Sequence, residues 1–414
     1  MSEWREVKLG DVCEFHYGKS LPATKRKKGN IPVYGSAGII GYHNEALINS
    51  KGIIIGRKGT IGKVYKSYKP FFPIDTVFYV LPDDKKYNFE YMFYLLVSLN
   101  LDKLNEDSAV PGLNRNNAYN QQIKLPPLPI QKKIADILSV IDEKIETLQN
   151  INSTLEEMAK AIFKSWFVDF DIVKAKASGK SDSEIAKEFG ISKDIVKLFP
   201  SEFETSEIGK IPKGWEVKSI KEIGKVITGK TPPTKNKENF GNKYPFIKIP
   251  DMKNVYTFIT ETYLSEIGKN LMNNKKLPPN SICVSCIATV GLVTLTSENI
   301  SFTNQQINSI ICNEGISYYF IYLYMLALKN HIENLGRGGT ATLNVNKTSF
   351  EQIKIKLPIN ILLDKFHSLI EPNFQVILNN LYHIQTLQEL RDTLLPKLIN
   401  GKIEVDELDI KGLE

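Results

Sequence analysis

Residues 131–170 read QKKIADILSVIDEKIETLQNINSTLEEMAKAIFKSWFVDF, with neither Pro nor Gly inside. Ile134, Ile141, Leu148, Leu155 and Ile162 recur at every seventh position, and a second track, offset by four, runs Leu138, Ile145, Asn152, Ala159 and Trp166. Together they make an a/d seam over about five heptads, which predicts a helix packed along another long helix. At 1.5 Å rise per residue the rod would be roughly 55 Å long. One apolar seam needs a partner to cover it.

Near the C-terminus, residues 363–398 carry a similar pattern: Phe366, Ile370, Phe374, Ile377, Leu381, Ile384, Leu387, Leu394, Leu395 and Leu398. Gln388 and Arg391 interrupt this seam. Pro372 predicts a kink in the first turns or a late start.

The chain repeats itself. Trp4 to Ser20 (WREVKLGDVCEFHYGKS) resembles Trp215 to Thr231 (WEVKSIKEIGKVITGKT). Thr60-Ile61-Gly62 then pairs with Thr289-Val290-Gly291, Phe89 onward (FEYMFYLL) with Tyr318 onward (YYFIYLYM), Leu113-Asn114 with Leu343-Asn344, and Leu125-Pro126 with Leu357-Pro358. So many pairings in one order indicate a duplicated unit, a globular domain followed by a long helix. Packed with pseudo-twofold symmetry, the two helices would form an antiparallel coiled coil with one mixed α/β domain at each end, an α+β chain. Such a body could read two separated half-sites on one duplex.

Charge follows this division. Lys and Arg outnumber Asp and Glu by 18 to 12 over residues 1–125 and by 18 to 10 over 212–357, whereas 126–211 has 12 against 15 and 358–414 has 5 against 9. Basic globular regions alternating with acidic helical ones point to a polyanion partner. No apolar run reaches a membrane span, and Met1-Ser2-Glu3-Trp4-Arg5 is no signal peptide. Four cysteines in 414 residues fit a reducing compartment, so a cytoplasmic location is expected.

Several motifs imitate other functions. Gly224 to Thr231 (GKVITGKT) matches the P-loop pattern, but Pro232-Pro233 follow where a helix must open. Asp182 to Phe199 has helix–turn–helix spacing, yet its second helix would present Ser192, Lys193, Asp194 and Lys197, a poor and partly acidic reading surface. Cys283 and Cys286 form a C-x-x-C pair inside an apparent strand, with no second pair to complete a metal set. No methyltransferase tetrad, cofactor glycine loop, nuclease carboxylate set or histidine cluster is found, so neither catalytic residues nor a metal site are expected.

The ends of the segments carry a family resemblance. AIFKSWFVDFD (161–171), IPKGWEV (211–217) and RDTLLPKLINGKI (391–403) are similar to signatures of the specificity subunits of Type I restriction–modification systems. IPVYGSAGIIGYHN (31–44), GRKGTIGKVY (56–65) and FFPIDTVFYV (71–80) resemble one common type of their target recognition domain. Two departures stand out: Ile130 stands where an acidic residue often precedes the first helix, and the second helix lacks that entry motif, having Ile359, Asn360 and Leu363, which leaves its start open. The resemblance implies two methyltransferase-like target recognition domains (1–128 and 212–358), spacer helices (129–170 and 359–403), a linker (171–211) and a tail (404–414). It implies no catalysis by this chain and no cofactor on it. Double-stranded DNA, two modification subunits and two restriction subunits would be its partners, with S-adenosylmethionine, ATP and Mg²⁺ on those subunits. Other classes of reading are a methyltransferase or nuclease acting alone, and a DNA-binding scaffold that reads no bases.

Phosphates need cations and base edges need directional donors, which selects loops mixing Lys or Arg with Gly, Ser, Thr, Asn and Tyr. In the first domain these give Lys19, Ser20, Lys25, Arg26, Lys27, Lys28, Tyr34, Gly35, Ser36, Tyr42, Arg57, Lys58, Thr60 and Arg115. In the second they give Lys230, Thr231, Lys235, Lys248, Asp251, Thr289, Arg337, Thr340 and Asn344. Arg57 and Arg337, each in a Gly-bearing loop, are the expected base readers.

Overall fold

The computed structural model describes residues 4–104, 112–337 and 343–405. Among them no helix is long and apolar enough to cross a membrane. The chain divides into two compact units, residues 1–148 with 383–414, and residues 149–382.

The central helix runs Leu128–Phe163 and the C-terminal helix Asn360–Ile399, and each contributes to both units. Within the first unit Ile134, Leu138, Ile141, Ile145 and Leu148 are buried, as are Ile384, Leu395 and Leu398, while Leu394 is half-buried. Ile134 and Leu138 share a core with Leu395 and Leu398, while Asp142 meets Arg391, so the segments run antiparallel. Within the second unit Asn152 meets Asn380 and Phe163 meets Phe366, again antiparallel. Ile370, Ile377 and Leu381 are buried there.

Leu155 and Ile162 are only half-buried; Ala159 and Phe163 take the inner positions. A straight helix drifts about 20° per heptad against a strict seven-residue repeat. Four heptads from Ile134 the drift nears one residue, and burial passes from Ile162 to Phe163. Beyond Phe163 the chain widens into a π turn, Lys164–Val168, and Phe170 ends it at φ 57°.

Pro372 does not delay the helix, which begins at Asn360 and continues through it. Proline removes its own N–H and frees the carbonyl four residues back. Both Pro372 and Ser368 face solvent, so water can serve that carbonyl, while buried Phe366, Ile370 and Phe374 hold the helix against its neighbours.

The strands repeat as the sequence does. In the first domain Arg5–Lys8 pairs antiparallel with Gln122–Leu125, and a second sheet runs in the order His16–Tyr17, Val77–Val80, Gly52–Gly56, Val64–Ser67. In the second domain Glu216–Ser219 pairs antiparallel with Lys354–Leu357. The corresponding sheet runs Gly224–Thr228, Ile307–Cys312, Ile282–Ser285, Val293–Thr296, extended by Tyr256–Thr257. Both domains also contain parallel pairing: Val33 with Phe72 in the first, and Phe246 with Phe302 and Tyr256 with Leu295 in the second. The central strands are buried on both faces, with Ile53, Ile54 and Ile55, and again Ile282, Cys283 and Val284, all excluded from water. β-Branched side chains favour such a pleated, packed surface.

Hydrogen bonds fix the register of the repeat. Gly62 N donates to Gly56 O and Gly291 N to Ser285 O, so Arg57 corresponds to Cys286 and Thr60 to Thr289. Leu113 N donates to Arg57 O, whereas Val345 N donates to Cys286 O. Leu113-Asn114 therefore corresponds to Val345-Asn346, two residues beyond the pairing read from the sequence. Asn114 and Asn346 both cap short helices, Arg115–Tyr119 and Lys347–Glu351.

The imitating motifs are structural. Gly224–Thr228 is a strand, and a Cβ on Gly229 would stand 2.1 Å from Asn304 O, as one on Gly18 would stand 2.0 Å from Ile74 O. Both Gly-Lys pairs thus mark a close approach of backbones, not a phosphate loop. Lys193–Lys197 is a single turn too short to read a groove, and Val196 and Phe199 are buried, with the Lys176 ammonium donating to both their carbonyls. Cys283 and Cys286 are buried on and beside a central strand. Among the described residues no cluster of His, Cys, Asp or Glu is placed to hold a metal.

Candidate nucleic-acid interface

In the first domain one cluster stands out on the surface. Tyr17 ends its strand and is 49% exposed. The Arg57 guanidinium lies 4.9 Å from that ring's centroid and the Arg115 guanidinium 5.1 Å from it. Arg57 follows the buried strand Gly52–Gly56, and its Nη1 donates to Asp75 O at 3.3 Å. Arg115 opens the helix capped by Asn114. Among the described residues neither guanidinium has a carboxylate partner. A guanidinium held over a ring can still present donors to a bidentate acceptor, in Arg57 those left beside the bond from Nη1 to Asp75 O. Tyr17 escaped the sequence reading because an aromatic in a short strand reads as core; its place directly before Gly18-Lys19-Ser20 was the available signal.

The other candidates sort by exposure. Lys19, Ser20, Lys58 and Thr60 are exposed, and half-buried Ser36 lies beside the same loop, its Oγ within 3.4 Å of a Cβ built on Gly59. Lys25, Lys27 and Lys28 are exposed near Tyr42 on the hairpin strand Gly38–His43. Arg26 is not part of that surface: its guanidinium donates to Ile40 O at 2.8 Å and to Leu21 O, tying the basic loop to the hairpin. Tyr34 is likewise withdrawn, since it is buried edge-on against Phe71, and Gly35 beside it is buried as the strand's last residue.

In the second domain Thr289, Asn344 and Arg337 converge. Ile287 bridges to Asn344, Ala288 N donates to Leu343 O, and Asn344 N donates to Gly336 O. All three side chains are exposed. Ala288 occupies the left-handed region at φ 63°, where the first domain has Gly59 at φ 79°. Such strain in a non-glycine residue costs of order 1–3 kcal/mol and concentrates at functional loops. Lys230 and Lys235 are exposed, and Thr231 Oγ1 donates to Gln305 Oε1 at 2.8 Å. Asp251 is engaged in the turn, its two carboxylate oxygens accepting from the amides of Lys248 and Glu261. Lys248 is also engaged, donating to Thr262 Oγ1 at 2.7 Å. Thr340 lies outside the described residues.

A family model described as the Type I restriction modification DNA specificity domain matches residues 1–157 and again 212–361. The chain belongs to that family. It is similar to the Type I restriction enzyme HindI specificity subunit of Haemophilus influenzae, 38% identical over 76% of this chain and 77% of that one. It is also similar to the Type I restriction enzyme MjaIX specificity subunit of Methanocaldococcus jannaschii, 30% identical over 98% of this chain and 95% of the other. The crystal structure of the Type I restriction-modification system S subunit from M. genitalium shares the fold, with a TM-score of 0.57 at 16% identity over 96% of both chains. The doubled match of the specificity-domain family coincides with the doubled strand order described above.

Proposed function

We propose that this specificity-domain protein is the non-catalytic, cytoplasmic DNA-reading subunit of a Type I restriction–modification complex. Each domain reads one half of a split duplex target. Modification subunits dock on the paired helices and methylate adenine using S-adenosylmethionine, and restriction subunits with ATP and Mg²⁺ complete the nuclease. The observation that carries this reading is duplication of one domain topology with different residues at equivalent loops, a design suited to reading two different half-sites.

Contacts to phosphate are assigned to the exposed lysines, Lys19, Lys25, Lys27, Lys28, Lys58, Lys230 and Lys235, and contacts to base edges to the loops around Arg57 and Thr289. Mapping methyladenine in cells that carry the full complex tests the reading, with a bipartite motif as the expected result. Adding four residues to both long helices lengthens each by about 6 Å, and the gap between half-sites should grow by about one or two base pairs. A contiguous motif, or methylation by the purified chain alone, would overturn the assignment.

A further inference from the structure

The two domains place opposite chemistry at one topological position. Tyr17 pairs with Phe78 in the first domain as Thr228 pairs with Asn308 in the second, and Arg57 corresponds to Cys286. Arg115, just inside its helix cap, corresponds to Lys347. In the first domain this gives two guanidiniums on one exposed tyrosine. Like charges sharing a ring repel, and the repulsion is relieved when electron-rich acceptors sit against both. In the second domain the position is closed and uncharged. Thr228 Oγ1 donates to Asn308 Oδ1 at 2.7 Å, Asn308 Nδ2 donates to Cys286 Sγ at 3.3 Å, and burial pushes the Cys286 thiol up to about 11. Lys347 is paired with Glu351 at 3.3 Å.

We infer that the first domain's half-site contains a guanine read by Arg57, whose guanidinium Tyr17 positions, and that the residue equivalent to Arg57 in the second domain, Cys286, makes no such contact. In the major groove guanine alone offers two acceptors, O6 and N7, spaced for a guanidinium fork; adenine places a donor at one of those positions. The contact with Tyr17, 4.9 Å from guanidinium to ring centroid, restrains the Arg57 side chain before it meets a base, so less freedom is lost on contact. At the equivalent loop of the second domain Thr289 offers a methyl and a hydroxyl, which suit a thymine methyl or a single acceptor and cannot grip guanine bidentately.

The inference rests on the function proposed above, and the test separates the two. The full chain, assembled with its modification subunits, is presented with duplexes randomised in both half-sites, and the bound fraction is sequenced. Native protein should select a split motif with guanine in one half. Arg57→Lys keeps the charge but loses the fork, and should reduce preference for that guanine about 10-fold or more while the other half-site is read as before. The retained half-site also reports that the variant is folded and assembled. Tyr17→Ala should weaken the same guanine, and Thr289→Ala only the opposite half. A split motif unaltered by Arg57→Lys and Tyr17→Ala, or weakened equally at all sequences, overturns this inference alone. Absence of any split motif from the native complex overturns the proposed function itself.

Discussion

Arg391 Nη1 donates to Asp142 Oδ1 at 2.9 Å, placing a paired charge in the seam where the heptad pattern asks for an apolar residue. The other oxygen, Asp142 Oδ2, accepts from the Tyr94 hydroxyl at 2.7 Å. One carboxylate thus ties both long helices of the first unit to the aromatic helix Phe89–Ser98. Burial works against the Arg391 charge, but its bonds to Asp142 and Asp392 outweigh that and raise its pKa further. Burial first, and then the Asp142 charge, push the Tyr94 phenol above its ordinary range.

Removing one partner should therefore cost more than an exposed salt bridge would. The side chains of Arg391 and Asp142 are 29% and 26% exposed, so Arg391→Ala is expected to lower stability by about 1–3 kcal/mol. Urea denaturation reads this as a lower midpoint at constant slope. An additive Arg391→Ala, Asp142→Ala pair would show that the two do not interact.

A second polar pair sits in the seam of the other unit. Asn380 Nδ2 donates to Asn152 Oδ1 at 2.8 Å, while the buried Asn152 Nδ2 has no hydrogen-bond partner among the described residues. Paired seam asparagines favour one register at a cost in stability. Asn380→Leu alone strands Asn152 and should destabilise by about 1–3 kcal/mol. Replacing both with Leu should restore the loss and raise the melting temperature above native. Melting curves in which the double variant falls as far as the two singles combined would exclude this role.

Much of this was legible in the sequence because long-range order left periodic traces. The helices announced themselves through residues such as Leu138, Ile145 and Ile377, whose burial follows from a seam repeated many times. The duplication was readable because many weak pairings kept one order. Register within it is less legible: Leu113-Asn114 looks like Leu343-Asn344 in sequence, although the backbone makes Asn114 the equivalent of Asn346. The surface was harder still. Tyr34 and Arg26 lie in a polar, glycine-bearing stretch that reads as an exposed loop, yet Phe71 covers one and Ile40 and Leu21 hold the other. The stack of Arg57 and Arg115 on Tyr17 joins three distant segments, and no local pattern records such a meeting.

Pro372 gives a direct test of how the C-terminal helix is held. Its ring denies the helix one hydrogen bond at a solvent-facing position, with no buried contact requiring proline there. An interior proline is about 3 kcal/mol less favourable than alanine, offset partly by its stiffening of the unfolded chain. Pro372→Ala should stabilise the protein by about 1–2 kcal/mol, seen as a higher urea midpoint. A lower midpoint would mean that the proline shapes a packing contact of the helix.

The buried thiols set the last expectation. Burial raises Cys13 and Cys283 from an ordinary value of 9.0 to about 12, with Ser309 donating to the Cys283 sulfur at 3.4 Å. Thiolate is the reactive form, so iodoacetamide at pH 8 should leave both unlabelled in the native protein and label them once urea unfolds it. The same shift sets a pH dependence. Above pH 9 the unfolded chain releases thiol protons that the folded chain retains until about pH 12, so their stabilising contribution is complete below pH 9 and is lost as pH climbs toward 12. Stability measured from pH 8 to pH 11 should therefore fall less steeply for Cys283→Ala than for native protein, even though the variant begins lower through the cavity it leaves. Equal slopes would mean that the Cys283 thiol ionises as readily in the fold as out of it, contrary to its complete burial in the central strand.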